Sequence, residues 1–214
     1  MTALLGAFRR ERNGAVADSM RYYGRAYGLN YGVSLPTLRR LARAEGTDPD
    51  FARYLYRQDV RELRLSAFHI ADPMRLTPDD FAFWGDGLLN SEMAEEGAFA
   101  LLSRSAVLDA WFEAWITPES GWLRQYAVLM AAARSAEPRG AWIPQILAAV
   151  RQAAADDLRE SRLLARGAVA ALVHIATLDP SSREALQQSV AALGDAADEA
   201  FVREELAWQL ETLD

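Results

Sequence analysis

Cysteine and lysine are both absent from the 214 residues. The first absence excludes disulfides and thiolate metal sites, and it fits a cytoplasmic protein. The second makes all 23 basic residues arginine. Coding bias in a GC-rich genome explains that more economically than selection for phosphate contact, although arginine is the better bidentate and stacking group. No apolar run approaches the roughly 20 residues a membrane span needs, so no membrane partner is expected. The opening Met1-Thr-Ala-Leu-Leu-Gly-Ala-Phe-Arg9-Arg10 has too short an apolar run, and charges on the wrong side, for a secretory signal. Histidine is scarce as well. His69 and His174 sit in the apolar contexts Phe-His-Ile and Val-His-Ile with no second His or Cys at ligand spacing, so no metal site is expected. Gly24, Gly28 and Gly32 neither follow a strand nor form a Gly-x-Gly-x-x-Gly or Walker pattern, and no cofactor is implied. They read instead as permitting close packing around Tyr22, Tyr23, Tyr27 and Tyr31.

Positive charge is in deficit, with a net of −7, but unevenly so: residues 1–75 carry 13 Arg against 8 acids, and residues 76–214 carry 10 against 22. Non-specific DNA affinity comes from neutralising phosphates, so an acidic whole argues against tight binding of that kind. About half of the residues are apolar and a quarter charged. That length and composition suffice for one continuous core, and a single domain over 1–214 is expected.

Strand signals are missing too: no run alternates strictly between apolar and polar and is bounded by turn residues. What is present is regular helix punctuation. Thr47-Asp48-Pro49, Thr77-Pro78-Asp79-Asp80 and Asp179-Pro180-Ser181 each place a capping oxygen beside a proline suited to a first helical turn. Asp59-Val-Arg-Glu62 and Ser181-Ser-Arg-Glu184 have capping-box spacing or its Asp-led variant. Segments beginning at Val60, Trp122, Leu158 and Phe201 share an apolar-Arg start followed by small apolar positions, with a more degenerate copy at Glu92. Steps of roughly 30 to 40 residues are those of HEAT and related repeats. One pair cannot bury its apolar face alone, so the pairs stack. The fold expected is an all-α HEAT-like solenoid of about five to six helix pairs, with Leu63, Ala67, Leu123, Ala127 and Leu206 buried between repeats.

Second helices line the concave face of such a solenoid. Arg61, Arg64, Arg124, Arg159, Arg162, Arg166 and Arg203 are expected there, as a cradle for duplex DNA or, above all for Arg61, Arg124 and Arg203, as rungs of a structural ladder paired with acids of neighbouring repeats. The i, i+4 spacing of Arg162 and Arg166 lets both project the same way. Tyr22, Tyr23, Tyr27 and Tyr31, with Arg21 and Arg25 interleaved, are a stacking surface or, the favoured reading, core of the first repeat. Trp115 reads as inter-repeat core, and Trp111 stays open.

The stretch Tyr31-Gly32-Val33-Ser-Leu-Pro36-Thr-Leu38-Arg39-Arg40-Leu41-Ala42-Arg43, followed by Glu62-Leu63-Arg64-Leu65-Ser66-Ala67 and Ala71-Asp72-Pro73, resembles the opening of the AlkD-like DNA alkylation-repair family of HEAT-like repeat proteins. The resemblance implies a groove that accepts duplex DNA and excises cationic N3- or N7-alkylated purines. It also implies an Asp and a Trp on one helix, an Arg on the next repeat and a further Trp beyond. A carboxylate stabilises positive charge growing on the deoxyribose, and aromatic faces attract a cationic base. The family's acidic segment falls on Asn90–Gly97, where Glu96, or Glu95 one register away, supplies the carboxylate and Glu92 stands at the aromatic position. Gln125 falls at the Arg position, with Arg124 adjacent and rotated by about 100°. The distal Trp maps to Gly167-Ala168-Val169-Ala170, which holds no aromatic residue. The expectation is a DNA-binding protein for double-stranded DNA, alkylated or unmodified, with weak or absent alkylpurine glycosylase activity and Glu96 as its one candidate catalytic group. A HEAT-like scaffold that binds a protein partner and no DNA is the alternative.

Overall fold

The computed structural model describes residues 1–23, 27–137, 139–156 and 159–212; Gly24, Arg25 and Leu158, named above, lie outside them. The described residues form thirteen α-helices, in order: α1 Thr2–Arg10, α2 Gly14–Tyr22, α3 Leu35–Ala44, α4 Pro49–Tyr56, α5 Arg61–Ile70, α6 Phe81–Asp86, α7 Ser91–Ala100, α8 Leu108–Trp115, α9 Trp122–Ala132, α10 Ile143–Ala155, α11 Ser161–Leu178, α12 Arg183–Ala191 and α13 Ala197–Glu211. The described residues contain no strand, only an isolated bridge between Leu29 and Val60. The chain is an all-α solenoid.

Two layers are built. In the inner layer α3, α5, α7, α9, α11 and α13 pack side by side in chain order. In the outer layer α4, α6, α8, α10 and α12 each precede an inner helix, which makes five outer–inner pairs after the N-terminal helices. An aromatic seam joins the outer helices: Trp84 lies 4.7 Å from Tyr56 and 5.7 Å from Phe68, Phe81 lies 4.1 Å from Trp111, and Phe112 stacks on Trp142 at 3.9 Å. Trp111 and Trp115 are both buried in this seam. Leu63, Ala67, Ala127 and Leu206 are buried between repeats as their spacing predicts, and Leu123 is half-buried. Gly97 and Gly167 set the inner-layer spacing, because a Cβ at either would stand 3.1 Å from the ring of Phe68 or Tyr126 on the preceding inner helix. The apolar residues of α11, a helix long enough to cross a membrane, form inter-repeat core.

Local chemistry explains the helix starts. Asn13, Ser34, Asp48 and Asn90 each accept a bond from a first-turn amide of α2, α3, α4 and α7, a cap that contributes about 1 kcal/mol. The capping box expected at Asp59 and Glu62 is not formed. Asp59 accepts from the Gly28 amide instead, while Glu62 accepts from the amides of Tyr31 and Val33. The loop before α3 carries unpaired amides, and it recruits both carboxylates. Gly28 is required there, since a Cβ would fall 1.8 Å from the Asp59 carboxylate; at Gly32 the φ of +70° and a 2.1 Å approach to the Asn13 carbonyl exclude any side chain.

Tyr22 and Tyr23 differ from expectation. They are 84% and 76% exposed, edge to face with each other, because α2 commits little more than Ala17 to the core and the tyrosines project past its end. Tyr27 and Tyr31 are half-buried.

Candidate functional site

Three successive inner helices bring one polar side chain each to a common point. Arg39 of α3 donates to Glu96 of α7 twice, Nε to Oε1 at 2.9 Å and Nη2 to Oε2 at 2.7 Å. His69 of α5 places Nε2 2.5 Å from Glu96 Oε1. Phe99, one turn along α7, lies against both: the Arg39 guanidinium is 4.4 Å from its ring centroid, and the His69 ring packs near it at 6.3 Å. Glu96 is only 2% exposed. Burial by itself raises its pKa, but the bonds from Arg39 and His69, with their charges, outweigh burial and hold it down at about 2. The carboxylate is ionised and both its oxygens are engaged.

Beside this triad the inner face continues through Glu95 and Tyr126. The Tyr126 hydroxyl donates to Glu95 Oε1 at 2.9 Å, and burial followed by the Glu95 charge pushes its pKa up. Arg134, in the turn after α9, and Arg166 of α11 both act electrostatically on that tyrosine. Arg166 is exposed and has neither hydrogen bond nor ion pair among the described residues. The side chain of Arg134, also exposed, bonds among the described residues to the Met130 carbonyl of α9 alone.

A second network lies deeper, at the starts of α5 and α7. Arg61 is fully buried and donates to both oxygens of Glu92, to the Val33 carbonyl at 2.9 Å and to Glu62 at 3.1 Å. Tyr27 donates to Glu92 at 2.7 Å from the loop before α3. The position at which the resemblance implies an aromatic wall is thus occupied by one half of a buried ion pair.

The structure separates the other expected site residues. Gln125 is 5% exposed and donates to the Ile116 carbonyl at 3.0 Å, behind the inner layer. Arg64 donates to the carbonyls of Gln58 and Gly87. Arg124 pairs with Asp86 and Arg203 with Asp195. Arg162 pairs with Asp198 at 3.0 Å and lies over Phe201 at 4.4 Å. Arg159 is exposed in the turn before α11, and no ion pair engages it among the described residues. His174 meets the Ser135 carbonyl at 2.8 Å. Sequence reasoning missed Arg39 and His69 as partners of Glu96, and Tyr126 with Arg134 beside Arg166. Arg39 stands in the quoted motif, but its pairing across 57 positions left no local signal.

Among the described residues no group of three or more His, Cys, Asp or Glu lies close enough to hold a metal. Chemically the inner face offers exposed guanidinium groups, a buried tyrosine hydroxyl and a carboxylate already engaged by a guanidinium and an imidazole.

A family model described as DNA alkylation repair enzyme matches residues 4–169. No curated protein matches the chain. A solved structure described as a new family of proteins related to the HEAT-like repeat DNA glycosylases, with affinity for branched DNA structures, is similar over 97% of this chain and 94% of its own, with a TM-score of 0.73 and 15% identity. At that identity the likeness concerns the fold, and it makes the solenoid HEAT-like.

Proposed function

As the chain belongs to the DNA alkylation repair enzyme family, we propose that it binds DNA along its inner face with little or no base excision. The observation carrying this reading is the state of Glu96, held between Arg39 and His69 and 2% exposed. Breaking a glycosidic bond develops positive charge on the sugar, and an anion lowers that barrier only where its field reaches the sugar. A carboxylate saturated by a bidentate guanidinium and an imidazole projects little field outward. Glu92 adds nothing, being consumed by Arg61.

Binding rests on cations that no acid pairs with among the described residues. Arg166 and Arg159 on the α11 side, Arg134 in the turn after α9 and Arg43, one turn beyond Arg39 on α3, are exposed. Guanidinium groups with free donors form bidentate phosphate contacts. Branched DNA is the first ligand to test, since the structural relative is described as having affinity for it.

The experiment is a titration of matched linear duplex and four-way junction at low and at moderate salt. Salt-sensitive binding, weakened by Arg134→Gln with Arg166→Gln, is expected. Absence of binding to either DNA at low ionic strength would reject the reading. It would favour a protein-binding scaffold, for which the pairing of Arg61, Arg124, Arg162 and Arg203 with acids speaks.

A further inference from the structure

The net negative charge of this protein equals that of its last segment, residues 179–214. Residues 179–214 carry nine acids against two arginines, a balance of −7, whereas residues 1–178 carry 21 of each. The family match stops at residue 169, before this pair.

Between α12 and α13 an open groove of about 290 Å³ has a floor of Val190, Leu206 and Leu210 and walls of Ala191 and Ala207, with Gln187, Glu211 and Arg203 at its polar edges; Asp195 takes the charge of Arg203. Earlier in the array the corresponding surface is covered: α12 and α13 pack over α10 and α11. No described residue covers the α12–α13 groove in that way. A terminal repeat normally presents a polar outer face. Here Trp208 stands beside Ala207 at 62% exposure, a large apolar side chain of the kind that marks interaction surfaces. Exposed Glu211 lines the groove, and exposed Glu204 stands one turn before Trp208 on α13.

We propose that the α12–α13 groove, with Trp208, docks a basic amphipathic helix of a partner protein, laid where a next repeat would pack. Helix-in-groove recognition needs an apolar trough for the anchors, and the acidic surround supplies the complementary field. Nucleic acid is disfavoured, since the same acids repel phosphate. A second copy of this chain offers no suitable face in its basic N-terminal helix, because α1 buries Leu4 and Phe8 in its own core.

The proposal is independent of DNA binding and is tested without DNA. The probe is a synthetic amphipathic helix of leucine and arginine, with the same helix carrying glutamate for arginine as control. The full chain is titrated while its tryptophan emission is followed; the other five tryptophans are buried or half-buried, so the change reports Trp208. The arginine helix is expected to bind at least roughly tenfold more tightly than the glutamate helix. Ala207→Arg, and separately Ala191→Arg on the opposite wall, should each weaken it by a similar factor with the circular dichroism unchanged. Equal affinity for both helices overturns the proposal, as does indifference to both wall variants. Sedimentation showing self-association that Ala207→Arg abolishes would assign the groove to a second copy and overturn it as well.

Discussion

Arg61 and Glu92 close on each other through two parallel hydrogen bonds, Nε to Oε2 at 2.9 Å and Nη2 to Oε1 at 2.7 Å, with both side chains out of solvent. This fork fastens the first turn of α5 to the first turn of α7. Through the Val33 carbonyl and the Tyr27 hydroxyl it also holds the loop before α3. The attraction is offset by the desolvation of both charges, so the pair contributes register more than net stability.

Removing one member leaves the other buried and uncompensated. Arg61→Met or Glu92→Leu alone should destabilise the protein by about 3–5 kcal/mol, and the double variant should recover much of that loss. Urea denaturation of the four proteins measures the coupling. Additive losses would show that the two charges do not depend on each other.

Acid should unfold the protein partly through Glu96. Its carboxyl titrates near 4.5 when unfolded and at about 2 when folded. It is ionised in both states above pH 4.5 and there contributes on the order of 3 kcal/mol, which is lost as the pH falls from about 4.5 toward 2. Glu96→Gln should flatten the stability–pH curve in that window. A variant curve as steep as the wild type would mean that other carboxylates dominate.

Release of N7-methylguanine or N3-methyladenine from alkylated duplex DNA should stay near background, and equally so in Glu96→Gln. Chromatography of the released bases reads this directly. Strong release that vanished in the variant would show that Glu96 escapes Arg39 and His69 when DNA is bound.

Bound phosphates should reveal themselves in the salt dependence. If Arg134 and Arg166 each neutralise one phosphate, replacing both with Gln lowers the slope of log affinity against log salt by about 2. Arg124→Gln, at a residue already paired with Asp86, should leave that slope nearly unchanged.

The repeat architecture was legible because stacking demands the same apolar-Arg start and small packing residues in each copy, and proline-flanked caps mark where copies begin. Caps at Ser34, Asp48 and Asn90 act within three residues of themselves. The site was legible in part. Glu96 was singled out, whereas the residues that decide its chemistry were not, since Arg39 and His69 lie 57 and 27 positions away. Seven arginines shared one sequence context, yet the solenoid buried one, engaged several with acids or carbonyls and left Arg159 and Arg166 without an ion pair among the described residues.

By itself the sequence determined the helices, their pairing and the resemblance to a DNA-repair family, because those depend on periodicity and on contacts within a turn or two. Tertiary structure alone decided which charges remain available. An ionised group acts outward only when no counter-charge sits within hydrogen-bonding distance, and around Glu96 those partners come from neighbouring helices 27 and 57 residues away. Packing therefore neutralised Glu96 and Arg61, freed Arg166, and left the acidic α12–α13 pair with an uncovered apolar groove.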